Sequence, residues 1–335
     1  IPWAKTWHVL DWAVTHGLHT IASYNQRLAH GDWAEIVHES EKAYQEDVES
    51  AAAILNQNRD VKAILISGPS SSGKTTTTAR LAEYLRHTGK RMMALNIDNY
   101  FYDLDMHPQD EFGDHDFETP QALDLELINE HIRLLIDGKA IAMPSYDFKT
   151  GRRSPKTTMK QLKDDEMILI DSLHGLYPAM TEGIDAEQLF KVYLEPLLQM
   201  KDDSGEFIRW TDIRLMRRML RDSVHRGYNP EQTLTHWHYV RSSEMANIIP
   251  YVNSVNYVIN SAMPFELSLY RPLLLESFNA WQTRFQQDPL RQDAFERSAR
   301  AARVLEQFAP VDDAHEVPGN SVIREFIGGS SYDLH

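Results

Sequence analysis

A glycine-rich loop between two predicted elements constrains this chain more than any other feature. An apolar run over residues 61–66 predicts a strand covered on both faces, and residues 75–87 have the pattern of a helix. Between them, Gly-Pro-Ser-Ser-Ser-Gly-Lys-Thr at residues 68–75 satisfies the pattern G-x-x-x-x-G-K-S/T. This setting predicts a phosphate-binding loop, because backbone N–H groups and the helix N-terminus converge on phosphate oxygens. The alternative is an ordinary Ser/Gly turn that matches by chance.

The loop gives its residues expected tasks. We expect Lys74, a predicted catalytic residue, to pair with the β- and γ-phosphates of ATP, and the Thr75 hydroxyl to bind Mg²⁺. The other residues predicted to contact the nucleotide are Gly68, Ser70, Ser71, Ser72, Gly73 and Thr76. The guanine-selecting string Asn-Lys-x-Asp is absent from the sequence. The remaining candidate classes are therefore kinases and ATPases.

Predicted strands and helices alternate along most of the chain. Further strands are predicted over residues 91–97, 140–143, 167–170, 190–194 and 255–259, and helices over 123–136, 211–225 and 230–249. The alternation predicts an α/β chain with the P-loop NTPase fold, a parallel sheet with helices on both faces. Residues 1–58 are predicted to form an N-terminal helical region. Residues 59–335 are predicted to form the P-loop domain, with an arginine-rich lid near residues 211–228 and C-terminal helices.

Composition limits the classes of partner. The formal net charge of −15 argues against a wide nucleic-acid surface, because phosphate-backbone binding needs clustered Lys and Arg. The sequence has no Cys, which excludes disulfides, thiolate nucleophiles and Cys-bound zinc. No apolar run approaches the roughly 20 residues that span a bilayer. We expect a cytoplasmic protein that acts on a small molecule, without nucleic-acid or membrane partners. A homo-oligomer is left open.

Asp98 is the predicted acceptor-side carboxylate. It lies in Asn-Ile-Asp-Asn-Tyr-Phe at residues 96–101, where the second predicted strand ends. Open α/β sheets bind their ligands at the carboxyl ends of strands. A carboxylate there can accept the proton of an attacking hydroxyl and align its oxygen with the γ-phosphorus. The alternatives are a helix N-cap or an indirect contact with Mg²⁺.

Asp171 is the predicted metal-side carboxylate. It directly follows the apolar strand predicted over residues 167–170, which is typical of the Walker B arrangement that holds Mg²⁺ directly or through water. His174 follows near a Gly turn, and a lone His in such a position more often has a structural role than a catalytic one.

Arginines are concentrated in one short stretch of this acidic protein. They are Arg214, Arg217, Arg218, Arg221 and Arg226. The first four share one helix face by their spacing, and such a face can clamp a triphosphate and its transferring γ-phosphate. We predict catalytic roles for Arg217 and Arg221, a nucleotide contact for Arg218 and substrate contacts for the other two. The alternative is a solvated face paired with Asp212 and Asp222.

Together these motifs resemble the uridine kinase and phosphoribulokinase family of P-loop kinases, over nearly all of residues 60–335. Asp-Phe-Glu-Thr-Pro at 116–120 and Met-Pro-Ser-Tyr-Asp-Phe at 143–148 add to the likeness, as does the arginine-rich stretch. The chain is most similar to bacterial nucleoside kinases with an N-terminal region like that of threonyl-tRNA synthetase. Residues 1–58 resemble only the trailing helices of that region.

The resemblance implies transfer of the ATP γ-phosphate to an alcohol, most simply the 5′-hydroxyl of a uridine- or cytidine-like nucleoside. Asp98 would be the general base, and the arginine-rich stretch would supply a lid over ATP. The residues implied to contact the acceptor are Tyr100, Phe117, Glu118, Tyr146 and Phe148, with Glu118 on the ribose hydroxyls.

The chain departs from the family pattern at three places, two on the acceptor side and one on the metal side. Gly151 stands where uridine kinases use a His to read the pyrimidine edge, Glu118 replaces an Asp, and Asp171-Ser172 replaces a common Glu-Gly. A sugar, sugar phosphate or polyol is therefore the alternative acceptor. A non-catalytic nucleotide-sensing or partner-binding protein is the alternative of another class, and retention of Asp98 argues against it.

Overall fold

The computed structural model describes residues 3–109, 117–226 and 229–333. The strands in these ranges are β1 Ala63–Ser67, β2 Arg91–Ala94, β3 Ile141–Met143, β4 Tyr146–Asp147, β5 Arg152–Arg153, β6 Thr158–Lys160, β7 Glu166–Asp171, β8 Leu189–Glu195 and β9 Tyr257–Asn260. Among them, β2, β7, β1, β8 and β9 form a parallel sheet in that order. The predicted α/β fold with a parallel sheet is confirmed.

Helices cover both faces of this sheet. In the described ranges they are α1 Trp3–Thr15, α2 Ile21–Ala29, α3 Trp33–Gln57, α4 Lys74–His87, α5 Leu125–Ile136, α6 Trp210–Arg221, α7 Pro230–Asn247, α8 Glu266–Phe285, α9 Gln292–Gln307 and α10 Arg324–Ile327. Alternate residues of β1 enter two different cores. Ile64 and Ile66 pack with α3, α4, α6, α8 and α9, whereas Ala63 and Leu65 pack with α5. None of the helices within the described ranges has the length and apolar character needed to cross a membrane.

The strand order brings distant parts of the sequence to one edge of the sheet. β7 lies between β1 and β2, and its Asp171 is in register with Ile66 of β1. Consecutive strands β1 and β2 are therefore separated in space by a strand from much later in the chain. Open α/β sheets bind ligands at such a switch in strand order, at the carboxyl ends of the strands.

Two predicted strands differ from the structure. Residues 140–143 contain β3, but it pairs antiparallel with β6 outside the parallel sheet. The strand predicted over residues 91–97 ends earlier as β2, and Ile97–Tyr100 forms a 3₁₀ turn. The Asn96 side chain accepts a hydrogen bond from the Asp98 N–H at 3.0 Å. This local turn replaces strand pairing at the point where the chain leaves the sheet.

The arginine face of α6 is largely buried, which contradicts the alternative of a solvated face paired with Asp212 and Asp222. Arg214 and Arg217 are fully buried. Arg214 donates to both carboxylate oxygens of Glu244, and Arg217 donates to Glu266 at 2.7 and 2.9 Å. A buried guanidinium needs such partners because an unpaired charge is costly to remove from water. The two carboxylates lie on α7 and α8, which pack near α6.

We expect Arg217→Ala to destabilise the protein by about 3–5 kcal/mol, because it leaves the buried Glu266 carboxylate without its partner. The free energy of unfolding from chemical denaturation measures this. Arg284→Ala is the matched control, since Arg284 pairs with Glu231 at 2.7 Å on an exposed surface and its loss should cost less than about 1 kcal/mol. Equal losses in the two variants would contradict the importance of the buried pair.

Candidate nucleotide and acceptor site

The loop between β1 and α4 adopts a backbone that side chains would obstruct. Gly73 has φ +93°, and a Cβ there would lie 2.3 Å from Val322 Cγ2. A Cβ on Gly68 would lie 2.3 Å from the carbonyl oxygen of Leu194. Ser71 also has a positive φ of 59°. These constraints explain both glycines of the pattern, because only glycine fits such positions without strain.

The interior of the loop suits an anion. The Ser71 and Ser72 hydroxyls are buried and have no hydrogen-bond partner within the described ranges. Lys74 begins α4, and its ammonium group donates to the Gly68 carbonyl at 2.9 Å. Burial lowers the pKa of Lys74, and the charge of Asp171 opposes that shift. A partly buried cation, unpaired hydroxyls and the amino end of a helix are the groups that bind phosphate oxygens.

The predicted metal-side carboxylate, Asp171, interacts electrostatically with this cation and with Asp98. Burial raises the pKa of Asp171 to about 6, with further upward contributions from Glu325 and Asp98, while Lys74 acts in the opposite direction. Such mutual effects require the charged groups to be close. Asp171 is thus coupled to both Asp98 and Lys74, so the three residues form one electrostatic cluster with Asp171 at its centre. Thr75 is the second residue of α4 and belongs to the same loop end.

Asp98 is presented on the 3₁₀ turn Ile97–Tyr100, with its residue exposed to solvent. The next residue, Asn99, accepts a hydrogen bond from the Tyr146 N–H at 3.2 Å, which ties the turn to β4. Tyr100 does not reach this surface. Its hydroxyl is buried and shares a hydrogen bond with His131 Nδ1 at 2.8 Å. The turn thus separates one exposed acidic residue from one core tyrosine.

Aromatic side chains form a platform near the Asp98 turn. Phe101 lies at the centre, with ring centroids 5.8 Å from Phe117, 5.6 Å from Tyr146 and 5.9 Å from Phe148. His107 packs against Phe117 at 4.8 Å. Phe117 and Phe148 are exposed although they are large and apolar. Exposed aromatic rings supported from below suit the binding of a flat or amphipathic ligand.

Sequence reasoning identified Phe117, Tyr146 and Phe148 but missed Phe101 and His107. Phe101 directly follows Tyr100 in the motif at residues 96–101. The turn directs the Phe101 side chain to the platform and the Tyr100 side chain into the core. His107 is joined to the same loop by its hydrogen bond with the Tyr102 carbonyl at 2.8 Å. Neither position has a pattern that singles it out.

Gly151, where uridine kinases resembling this chain use a His, forms a tight turn. It has φ +66°, and a Cβ there would lie 3.0 Å from Leu104 Cβ. The Gly151 carbonyl also accepts a hydrogen bond from the Leu104 N–H at 2.8 Å. A larger side chain at this position would be strained both by the backbone angle and by the contact.

Three arginines of α6 contact the loop from two sides. From the buried side, Arg214 donates to the Ser70 carbonyl at 3.1 Å and Arg217 to the Ser72 carbonyl at 3.4 Å. On the more open side, Arg218 donates to the Ser70 hydroxyl at 2.6 Å and lies 3.7 Å from a Glu118 carboxylate oxygen. Arg214 and Arg217 thus stabilise the backbone of the loop from its buried side.

The remaining predicted arginines are Arg221 and Arg226. Arg221 lies 3.5 Å from Asp222, and its positive charge contributes to lowering the pKa of Lys74. It therefore stays beside the loop, together with Arg218. The side chain of Arg226 and residue Asp116 of the 116–120 motif lie outside the described residues.

Two buried groups near the loop complete the site. Burial lowers the pKa of His174 to about 4, so its ring is neutral near pH 7. Glu325, which sequence reasoning did not single out, accepts hydrogen bonds from the Thr76 N–H at 3.2 Å and the Thr76 hydroxyl at 2.9 Å. No local pattern in the sequence singles it out, because its partner Thr76 is 249 residues away.

A lysine in a glycine loop at the carboxyl end of a parallel sheet, beside two carboxylates, is the arrangement of P-loop phosphotransferases. The family model for the Phosphoribulokinase / Uridine kinase family matches residues 63–265. This chain belongs to that family. It is accordingly an enzyme that transfers a phosphoryl group to an alcohol.

Relatives named as uridine kinases agree with this membership. A uridine kinase of Deinococcus deserti is 28% identical over 186 residues, covering 55% of this chain and 80% of the relative. Uridine-cytidine kinase B of Dictyostelium discoideum is 28% identical over 169 residues, covering 50% of this chain and 61% of the relative. A solved structure described as a possible uridine kinase from Bacillus stearothermophilus is 17% identical, with a TM-score of 0.41, and covers 64% of this chain and 98% of that one.

We expect Gly73→Ala to weaken ADP binding at least tenfold and to destabilise the protein by several kcal/mol, roughly the cost of strain plus overpacking. The added methyl group would meet Val322 in a backbone conformation that Ala avoids. Calorimetric titration and thermal unfolding measure the two effects.

Gly89→Ala is the matched control for this substitution. Gly89 has a similar φ of +87° but nothing within 4 Å of a Cβ, so only the backbone strain of about 1 kcal/mol should appear. ADP affinity should stay unchanged there. If both variants bound ADP normally, the contact between residues 73 and 322 would have no role in shaping the loop.

Proposed function

We propose that this protein transfers the γ-phosphate of ATP to the 5′-hydroxyl of a nucleoside, with uridine- and cytidine-like acceptors preferred. The observation that carries the proposal is the electrostatic cluster of Asp98, Asp171 and Lys74, next to an aromatic platform. A nucleotide-binding protein without an acceptor has no need for a carboxylate opposite its phosphate loop. The relatives named as uridine kinases support this choice of acceptor.

Each group has one task in this mechanism. The N–H groups of the loop and Lys74 bind the triphosphate, and Arg218 and Arg221 offset the charge that spreads over the transferring phosphoryl group. Asp98 orients the acceptor hydroxyl and takes its proton as the oxygen bonds to the γ-phosphorus and the bond to ADP breaks. The proton then leaves Asp98 for solvent.

Mg²⁺ fits the donor set on the phosphate side. The Thr75 hydroxyl and the Asp171 carboxylate would hold it together with phosphate oxygens, an all-oxygen environment of the kind this ion prefers, and its charge would offset that of the phosphates. Asp171 fits this task because its carboxylate lies beside Lys74 at the end of β7.

The acceptor would lie between the aromatic platform and Asp98. Phe117 and Phe148 offer exposed rings to a base, and Glu118, held near Arg218, offers its carboxylate to ribose hydroxyls. Gly151 favours a second candidate, a sugar, sugar phosphate or polyol, since a glycine in a turn that strains other residues offers no side chain to read a pyrimidine edge.

We expect ADP formation to require a nucleoside, and Asp98→Asn to reduce kcat by roughly 10²–10⁴-fold, the usual contribution of a general base. ADP release across a panel of nucleosides, sugars, sugar phosphates and polyols measures this. ADP affinity should remain within about threefold of the wild type, because the loop is untouched. Asp137→Asn, which removes an exposed carboxylate paired with Lys139, is the control and should keep full activity.

A different result would redirect the proposal. ADP formation that is independent of every acceptor would favour a nucleotide-sensing protein, and full activity of Asp98→Asn would remove its role as base. Activity confined to sugars or polyols would select the second candidate.

We expect Phe148→Ala to raise the KM for the nucleoside about tenfold, because stacking of a base on one aromatic ring contributes about 1–3 kcal/mol. The KM for ATP should not change. Initial-rate kinetics with each substrate varied in turn separates the two. Met159→Ala is the control, since Met159 is an exposed apolar residue on β6, outside the platform. Equal KM values in the wild type and Phe148→Ala would place the base elsewhere.

A further inference from the structure

A segment near the end of the described chain, residues 319–331, packs on the amino end of α4. Its Val322, Ile323 and Phe326 side chains are fully buried. Val322 contacts the position of Gly73 in the loop, and Phe326 lies under the Arg217 guanidinium at 5.0 Å. The backbone of this segment is therefore anchored, because its release would expose three large apolar side chains to water.

The segment carries a carboxylate to the phosphate loop. Glu325 is buried, and one of its oxygens accepts hydrogen bonds from both the N–H and the hydroxyl of Thr76. Thr76 is the third residue of α4, so its N–H has no partner within the helix. In loops of this pattern, such N–H groups cradle phosphate oxygens. The Glu325 carboxylate therefore occupies a position where a phosphate of the nucleotide is expected.

The charges around Glu325 make this position unfavourable once a nucleotide is bound. Its carboxylate attracts the buried Arg217 and also Lys74, which the phosphates need, and it repels Asp171. A triphosphate would bring several more negative charges to the same few ångströms. The carboxylate and the phosphates therefore compete for the same donors and the same cation.

We propose that the Glu325 carboxylate is a built-in occupant of the phosphate cradle, which holds the loop in its folded shape without nucleotide and is exchanged for a phosphate oxygen when nucleotide binds. The exchange is a movement of one side chain, since Val322, Ile323 and Phe326 keep the segment in place. Its effect is to weaken nucleotide affinity below what the loop alone would give, which favours release of ADP. This inference depends on nucleotide binding at the loop and not on the identity of the acceptor.

Glu325→Gln tests the proposal directly. The amide keeps the shape and one acceptor oxygen for Thr76 but loses the charge, and a neutral acceptor forms a hydrogen bond about half as strong as a charged one. We expect the affinity for Mg²⁺–tripolyphosphate, a probe of the cradle alone, and for Mg²⁺–ADP to rise about tenfold each. Isothermal titration calorimetry measures both, with no dependence on turnover.

Glu83→Gln is the matched control. Glu83 lies on α4 itself and accepts a hydrogen bond from the Tyr332 hydroxyl at 2.9 Å, so this substitution removes the same charge from a carboxylate that also contacts α4's packing partners but lies away from the loop. Its affinity for both ligands should match the wild type. A similar rise in both variants would show a general charge effect and would overturn the proposal.

Unchanged or weaker binding in folded Glu325→Gln would also overturn it, because the carboxylate would then be a permanent part of the site. Should that variant fail to fold, Glu325→Asp gives the second test. It keeps the charge but is one methylene shorter, which withdraws the carboxylate from Thr76. We expect tighter tripolyphosphate binding by a smaller factor, and binding equal to or weaker than the wild type would again refute the exchange.

Discussion

The loop after β1 must leave its N–H groups available for an anion, so its carbonyl oxygens need partners from elsewhere. Arg214, Arg217 and Lys74 supply them, donating to the carbonyls of Ser70, Ser72 and Gly68. The buried guanidinium groups in turn need the carboxylates of α7 and α8. The need to satisfy the carbonyl groups of this loop thus constrains how α6, α7 and α8 pack behind it. The geometry of the site follows from that packing.

The parts of this arrangement that are local in sequence could be predicted from sequence. The strand, the glycine loop and its helix follow from periodicity and from the few residues that tolerate the turn. The alternation of elements also predicts the parallel sheet. What escaped prediction depends on contacts between distant residues. Arg217 and its partner Glu266 are 49 residues apart, and Thr76 and Glu325 are 249 apart, so no local pattern indicates that either pair is buried.

The acceptor side was predictable only where a family resemblance named its residues. Phe117, Tyr146 and Phe148 come from such motifs, whereas Phe101 reaches the platform through a turn whose direction the sequence does not state. Tyr100 was predicted to contact the acceptor from the same motif, but its side chain, one residue earlier in the turn, points into the core. A 3₁₀ turn changes which neighbours share a face, and strand or helix periodicity cannot describe it.

The place of β7 between β1 and β2 has a consequence for how such enzymes diversify. Everything that forms the aromatic platform lies on the excursion of the chain between β2 and β7, outside the parallel sheet. Insertions, deletions or exchanges within that excursion leave the strand register beneath the phosphate loop intact. Under the proposed function, selectivity for an acceptor can therefore change, by natural variation or in the laboratory, within one contiguous stretch of gene while binding of the phosphoryl donor stays the same.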